Sequence, residues 1–197
     1  MDYRNFRYPF ITKQKITFDT DDKDEIIGFN IDLEPFPLSY EALLVPYGST
    51  SELHIDVQAP DEICNMLLNV KKVLADKIAE DTQTDVKRIL GMISIPFRNN
   101  QKDKRSVVRL MYIKDCIYTG NVLQDSIKLV RNRFDIEPVV RLVAKYSDRL
   151  RKSIDICLEL VECNTFIQAP LILKRSAQVA GLVPAEQLNS ESVEKTH

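Results

Sequence analysis

The hydrophobic period of the chain changes at Pro60, and this change constrains the fold more than any other feature. Before Pro60, apolar residues recur at every second position. In residues 51–58, "SELHIDVQ", Leu53, Ile55 and Val57 alternate with Glu52, His54, Asp56 and Gln58. That is the spacing of a strand with one buried face. Residues 15–20 put Ile16 and Phe18 together, residues 25–33 alternate Ile27, Phe29, Ile31 and Leu33, and residues 41–48 end at a Pro-Tyr-Gly turn. A polar face on each of these segments predicts a mainly antiparallel sheet covered on one side.

After Pro60 the period becomes helical. Proline in the first turn, followed by Asp61 and Glu62 near the positive end of the dipole, makes a helix start. Ile63, Met66, Leu67, Val70, Val73, Leu74 and Ile78 then form one apolar stripe to about residue 80. Residues 82–91 read as a short second helix, capped by Thr82 or Thr84 and stopped at Gly91. A hairpin is expected near residues 92–118, "MISIPF" against "SVVRLMYIKDCIY", with Pro96 marking an edge or an end. Three further helices are expected: residues 121–134, capped by Asn121; residues 137–163; and residues 169–183, ending at Gly181. The long one carries Val139, Val143, Tyr146, Leu150, Ile154, Cys157 and Val161 as a narrow stripe. The predicted class is therefore α+β, an N-terminal mainly antiparallel sheet followed by amphipathic helices interrupted by the hairpin. No Gly/Ser/Pro linker divides it, so residues 1–183 are read as one domain, with an aromatic and basic arm over about 1–14 and a polar tail over 184–197.

Charge is segregated along the chain. Residues 19–62 hold twelve acids and one base, Lys23, although the whole chain carries a net charge of only −2. The bases cluster later. Residues 98–114 hold six, Arg98, Lys102, Lys104, Arg105, Arg109 and Lys114, against Asp103. Residues 128–152 hold eight bases and three acids, and Arg141, Lys145, Arg149 and Lys152 lie on the predicted long helix. If the hairpin tip and this helix share a face, Arg98, Lys102, Lys104, Arg105, Arg109, Arg141, Lys145, Arg149 and Lys152 make a positive patch. The bland alternative is a solvated face, since exposed ion pairs contribute less than about 1 kcal/mol.

Several chemistries lack their residues. The five glycines, Gly28, Gly48, Gly91, Gly120 and Gly181, are too scattered for a phosphate-cradling loop. Cys64, Cys116, Cys157 and Cys163 include no CxxC pair, and the histidines are only His54 and His197, so no metal site is predicted. The acids from Asp19 to Asp24 fail the EF-hand spacing, because the sixth and twelfth positions are Asp24 and Asn30. His54, flanked by Glu52 and Asp56 on an outward face, is the one internal histidine, and it reads as a surface residue more readily than as a general base. No catalytic, cofactor-binding or metal residue is predicted, and the chain is expected to be no enzyme. No apolar run approaches the roughly 18 residues that span a membrane, and the cysteines suit a reducing compartment. A cytoplasmic or intravirion setting is expected.

Two functions fit. The first is a self-assembling or partner-binding protein, structural or accessory and of a kind met in viruses. It would be a homo-oligomer or bind a protein partner, with an acidic surface meeting a basic one and the long helix as a possible seam. The alternative is nucleic-acid binding through the hairpin tip and helix face, with Tyr3, Phe6, Tyr8 and Phe10 beside Arg4 and Arg7 available for stacking. Anionic lipid is a further taker for the patch. An isoelectric point near 5.8 weighs against a dedicated nucleic-acid domain.

Overall fold

The computed structural model describes residues 8–46, 53–100, 105–120, 134–147 and 152–167, with backbone only at 99, 100, 105 and 167. The predicted helices over 121–134 and 169–183, the tail over 184–197 and the first half of the arm lie outside these residues. The described part is mostly sheet, with ten strands and two helices. In chain order the strands are β1 Ile16–Thr20, β2 Ile26–Ile31, β3 Phe36–Pro37, β4 Leu43–Val45, β5 His54–Gln58, β6 Ile93–Ser94, β7 Phe97–Asn100, β8 Arg105–Gly120, β9 Phe134–Tyr146 and β10 Ile154–Ile167. The helices are α1 Asp61–Thr82 and α2 Val86–Met92.

β1 and β2 form their own antiparallel sheet. The other eight strands form one sheet. β4 pairs with β9, β9 with β10 and β5 with β8, all antiparallel, while β10 and β8 run parallel. β4 also lies against β5. The sheet therefore curls into a ring in the order β4–β5–β8–β10–β9. β3 pairs with β9, β6 with β10 and β7 with β8, extending the ring.

The ring buries its inner face. Along β9, Phe134, Ile136, Val140, Leu142 and Ala144 are buried at every second position, and Ile154, Ile156, Leu158 and Leu160 do the same on β10. Ile55 and Val57 of β5 and Val108 and Leu110 of β8 complete the lining. Each of the larger of these side chains contributes about 1.5–3 kcal/mol by burial. α1 buries Ile63, Leu67, Val70, Leu74 and Ile78 in the same core.

The predicted long helix over 137–163 is wrong, and the basic face assigned to it is a strand face. β9 and β10 carry apolar residues on both faces, mixed with charge on the outer one: Val139, Val143 and Val161 sit half-buried opposite the core side, and Cys157 is buried there. Apolar residues on both faces of a strand fill a helical stripe by coincidence. The true period is two, and it runs uninterrupted from Phe134 to Ala144.

The other expectations fare better. α1 starts at Pro60, with Asp61 and Glu62 in its first turn, and ends at Gln83, whose φ of 52° is left-handed. α2 is capped by neither Thr82 nor Thr84: the Asp85 carboxylate accepts from the Lys87 N–H at 3.1 Å. Nor does Gly91 stop it, because the helix runs on to Met92 before Ile93 pairs with Ile154. Ile27 points out, 43% exposed, while Ile26 packs inward, since the β1–β2 register shifts at Asp19/Thr20. The arm is anchored by Ile11, which is 1% exposed.

β8 ends at Gly120, whose φ is +94°. A Cβ there would sit 2.1 Å from the Thr165 carbonyl oxygen. Both the angle and the contact demand glycine. Gly120→Ala is expected to destabilise the protein by about 1–3 kcal/mol, read as a lower urea midpoint at unchanged slope.

Candidate functional site

The outer face of the ring carries the polar side chains. On β5 these are His54, Asp56 and Gln58, facing Met111, Arg109 and Val107 of β8 across the ladder. β7 lies along the other edge of β8 and places Arg98 opposite Val107. Arg98, Val107 and Gln58 therefore form one row across three strands, and no acid is among them.

The next row holds a built interaction. Arg109 Nε donates to Asp56 Oδ1 at 2.8 Å, and its second nitrogen donates to Oδ2 at 3.0 Å. This fork-on-fork geometry fixes the guanidinium plane, and it raises the Arg109 pKa further. His54 Nε2 is 3.9 Å from the same carboxylate. Desolvation still lowers the His54 pKa, helped by Arg109 and, more weakly, Arg98, against the pull of Asp56.

The predicted patch is brought together only in part. Arg141 and Lys145 of β9 share the outer face with Arg109, as residues four apart do on a strand as well as on a helix. However, Arg141 stands opposite Glu159 and Lys145 opposite Asp155. Their positive charge is balanced across the ladder. Lys152 is exposed between β9 and β10. Lys102, Lys104 and Arg149 and the Arg105 side chain lie outside the described residues. Among the described residues, Arg98 and Arg109 are the two predicted side chains placed on adjoining rows of the β5–β8–β7 surface.

Sequence reasoning missed Gln58, Val107 and Met111 as members of this face. Each was marked by its position in an alternating run, but only the register of β5 on β8 makes them neighbours. The acids from Asp19 to Asp24 form no cation site: Asp21 caps the turn by accepting from the backbone of Lys23 and Glu25, both at 3.0 Å. Among the described residues, no three His, Cys, Asp or Glu are placed to hold a metal ion. None of the described helices is long and apolar enough to cross a membrane. All four thiols are buried and reduced, and burial raises each pKa, Cys163 to about 12.

No family model matches the sequence, and no curated protein matches it. Solved structures do resemble it. One is gp2.5, a single-stranded DNA-binding protein encoded by bacteriophage T7, at 10% identity and a TM-score of 0.44, covering 79% of this chain and 95% of that one. Another is the single-stranded DNA-binding protein from bacteriophage Enc34 in complex with ssDNA, at 11% identity and a TM-score of 0.38, covering 79% of this chain and 97% of that one. A C-terminal truncation of the Enc34 protein gives 10% identity and 0.38 over the same shares.

Two predictions test the described face. A double-mutant cycle of Arg109→Lys and Asp56→Asn should return a coupling of about 1 kcal/mol, because lysine cannot make two parallel bonds and the pair is only partly buried. For His54, the folded pKa lies below the usual 6.5, so the unfolded chain takes up the proton first. Its contribution is fully present above about pH 6.5 and is lost as pH falls below it. Denaturation midpoints from pH 8 to 5 should therefore fall less steeply in His54→Gln than in the unmodified protein.

Proposed function

We propose that this chain binds single-stranded nucleic acid across the outer face of β5 and β8. The observation that carries the reading is the placement of that face. A partly open five-stranded barrel binds oligonucleotides and oligosaccharides on the face of its second and third strands. Counted along this ring, those strands are β5 and β8; they present Arg109, His54 and Met111, and β7 adds Arg98 along the edge of β8. Binding rather than catalysis is the role these residues suit.

The chemistry supports a single strand. The guanidinium of Arg109 is held flat by Asp56, so its face is available to an unstacked base. His54 and Met111 continue the same surface. Arg98, in the row without an acid, is the phosphate contact. The segment joining β7 and β8 adds Lys102 and Lys104 by sequence. The self-assembling or partner-binding function expected first from the sequence loses its possible helical seam, since residues 137–163 hold strands β9 and β10.

The test is fluorescence anisotropy of a labelled thirty-nucleotide single strand over 20–300 mM salt. Affinity should fall steeply with salt as counterions are released, and Arg98→Ala should lower the log–log slope by about 1. Binding should also raise the His54 pKa, because phosphate favours the protonated ring; the NMR titration of its ring protons reads this. Absence of binding at the lowest salt, or a flat salt dependence, would remove the reading.

A further inference from the structure

The nucleic-acid reading leaves the acidic first third of the chain without a role. A cleft runs between the β1–β2 hairpin and the C-terminal end of α1. Its larger part, about 520 Å³, has Ile26, Ile78, Ile89, Met92, Tyr146 and Ile154 as its apolar surface. A second part of about 370 Å³ continues along Phe18 and Ile16, and the two share Asp24, Ile26, Asp81 and Thr82. The hairpin wall is fixed in place: the Tyr146 hydroxyl donates to the Ile26 carbonyl at 3.2 Å, and its ring lies 4.9 Å from that of Phe29.

The rim is negative for two separate reasons. Asp24 and Glu25 line it, in the same turn as Asp21 and Asp22. On the facing wall α1 ends, and its last carbonyls carry the negative pole of the helix dipole, where lysine or arginine ordinarily sits. The last turn of α1 holds no base; it holds Glu80 and Asp81. Glu80 is taken by Lys13, and Asp81 by Lys77 at 3.0 Å, whose ammonium also lies over the Phe18 ring. Arg88 is the one further base on the lining. The helix end is capped from within, Ala79 O accepting from the Gln83 and Thr84 N–H groups, so what it offers is the field of the dipole, which repels phosphate and attracts a cation.

We propose that this cleft docks a segment of a partner protein in which apolar residues alternate with lysine or arginine. Its apolar side chains fill the floor, and its cations meet Asp24 and Glu25 beside the negative end of α1. The proposal stands apart from the nucleic-acid face, which lies on β5 and β8.

The probe is a labelled dodecapeptide of alternating leucine and lysine, with a counterpart carrying glutamate for lysine, titrated into the full chain. The lysine peptide should bind at least ten-fold tighter than the glutamate peptide and shift the methyl signals of Ile26, Ile78, Ile89 and Met92. Asp24→Asn with Glu25→Gln should weaken it several-fold while single-strand binding is unchanged. Unmoved methyls, equal binding by the double variant, or displacement of the peptide by an oligonucleotide would each overturn the proposal. Concentration-dependent shifts of the same methyls in the protein alone, cleared by salt, would assign the cleft to a second copy and overturn it equally.

Discussion

β10 is paired along both edges, and the rest of the structure follows from that. β9 runs antiparallel to it over its whole length, while β6 and then β8 run parallel along the other edge. A strand with both edges satisfied and one face buried has its register fixed, because a slip of one residue would turn Ile156, Leu158 and Leu160 to the outside. With β10 pinned, β9 must offer its far edge to β3 and β4, and β8 its far edge to β5. The ring closes because β4 and β5, joined in sequence, are carried to each other by these two ladders. The outer face of β5 on β8 is then a consequence of pairing made elsewhere.

The parallel step is where the geometry bends. Between Leu160 and Glu162, β10 spends one residue where β8 spends four, from Ile113 to Cys116. This bulge divides β8 into two working lengths. The first pairs with β5 and β7 and carries Arg109 and Met111. The second holds Tyr118 and ends at Gly120 against Thr165. Such insertions increase local twist and re-aim side chains. Here the exposed Lys114 and Asp115 take up the extra length, so the ring can curl without breaking the core rows on either side.

Much of the first half was legible in the sequence. The alternation around His54 gave β5 and Pro60 gave the start of α1, but the hairpin was found with its first strand misplaced: β7 is Phe97–Asn100, inside the expected tip, while Ile93–Ser94 of the expected strand pairs with β10. The second half was misread because the outward faces of β9 and β10 mix charge with apolar residues, Val139, Val143 and Cys157 standing among Glu137, Arg141, Lys145 and Glu159. Val139, Val143, Cys157 and Val161 filled in the missing side of a helix. The site was legible only as composition. Arg98 and Arg109 stood out by charge, but the acids that balance Arg141 and Lys145 are distant in sequence and become neighbours through the β9–β10 register. The fork between Asp56 and Arg109 spans 53 residues and was invisible for the same reason.

The four thiols have a consequence of their own. Each is enclosed within the fold, each is held protonated by burial, and a thiol must be both exposed and ionised to react. Alkylating reagents therefore meet sulfur only when the barrel opens. Cys157 and Cys163 lie on the doubly paired central strand, while Cys64 sits near the start of α1. The order in which these sulfurs become modified records which parts of the ring come apart first, making the chain a chronometer of its own unravelling.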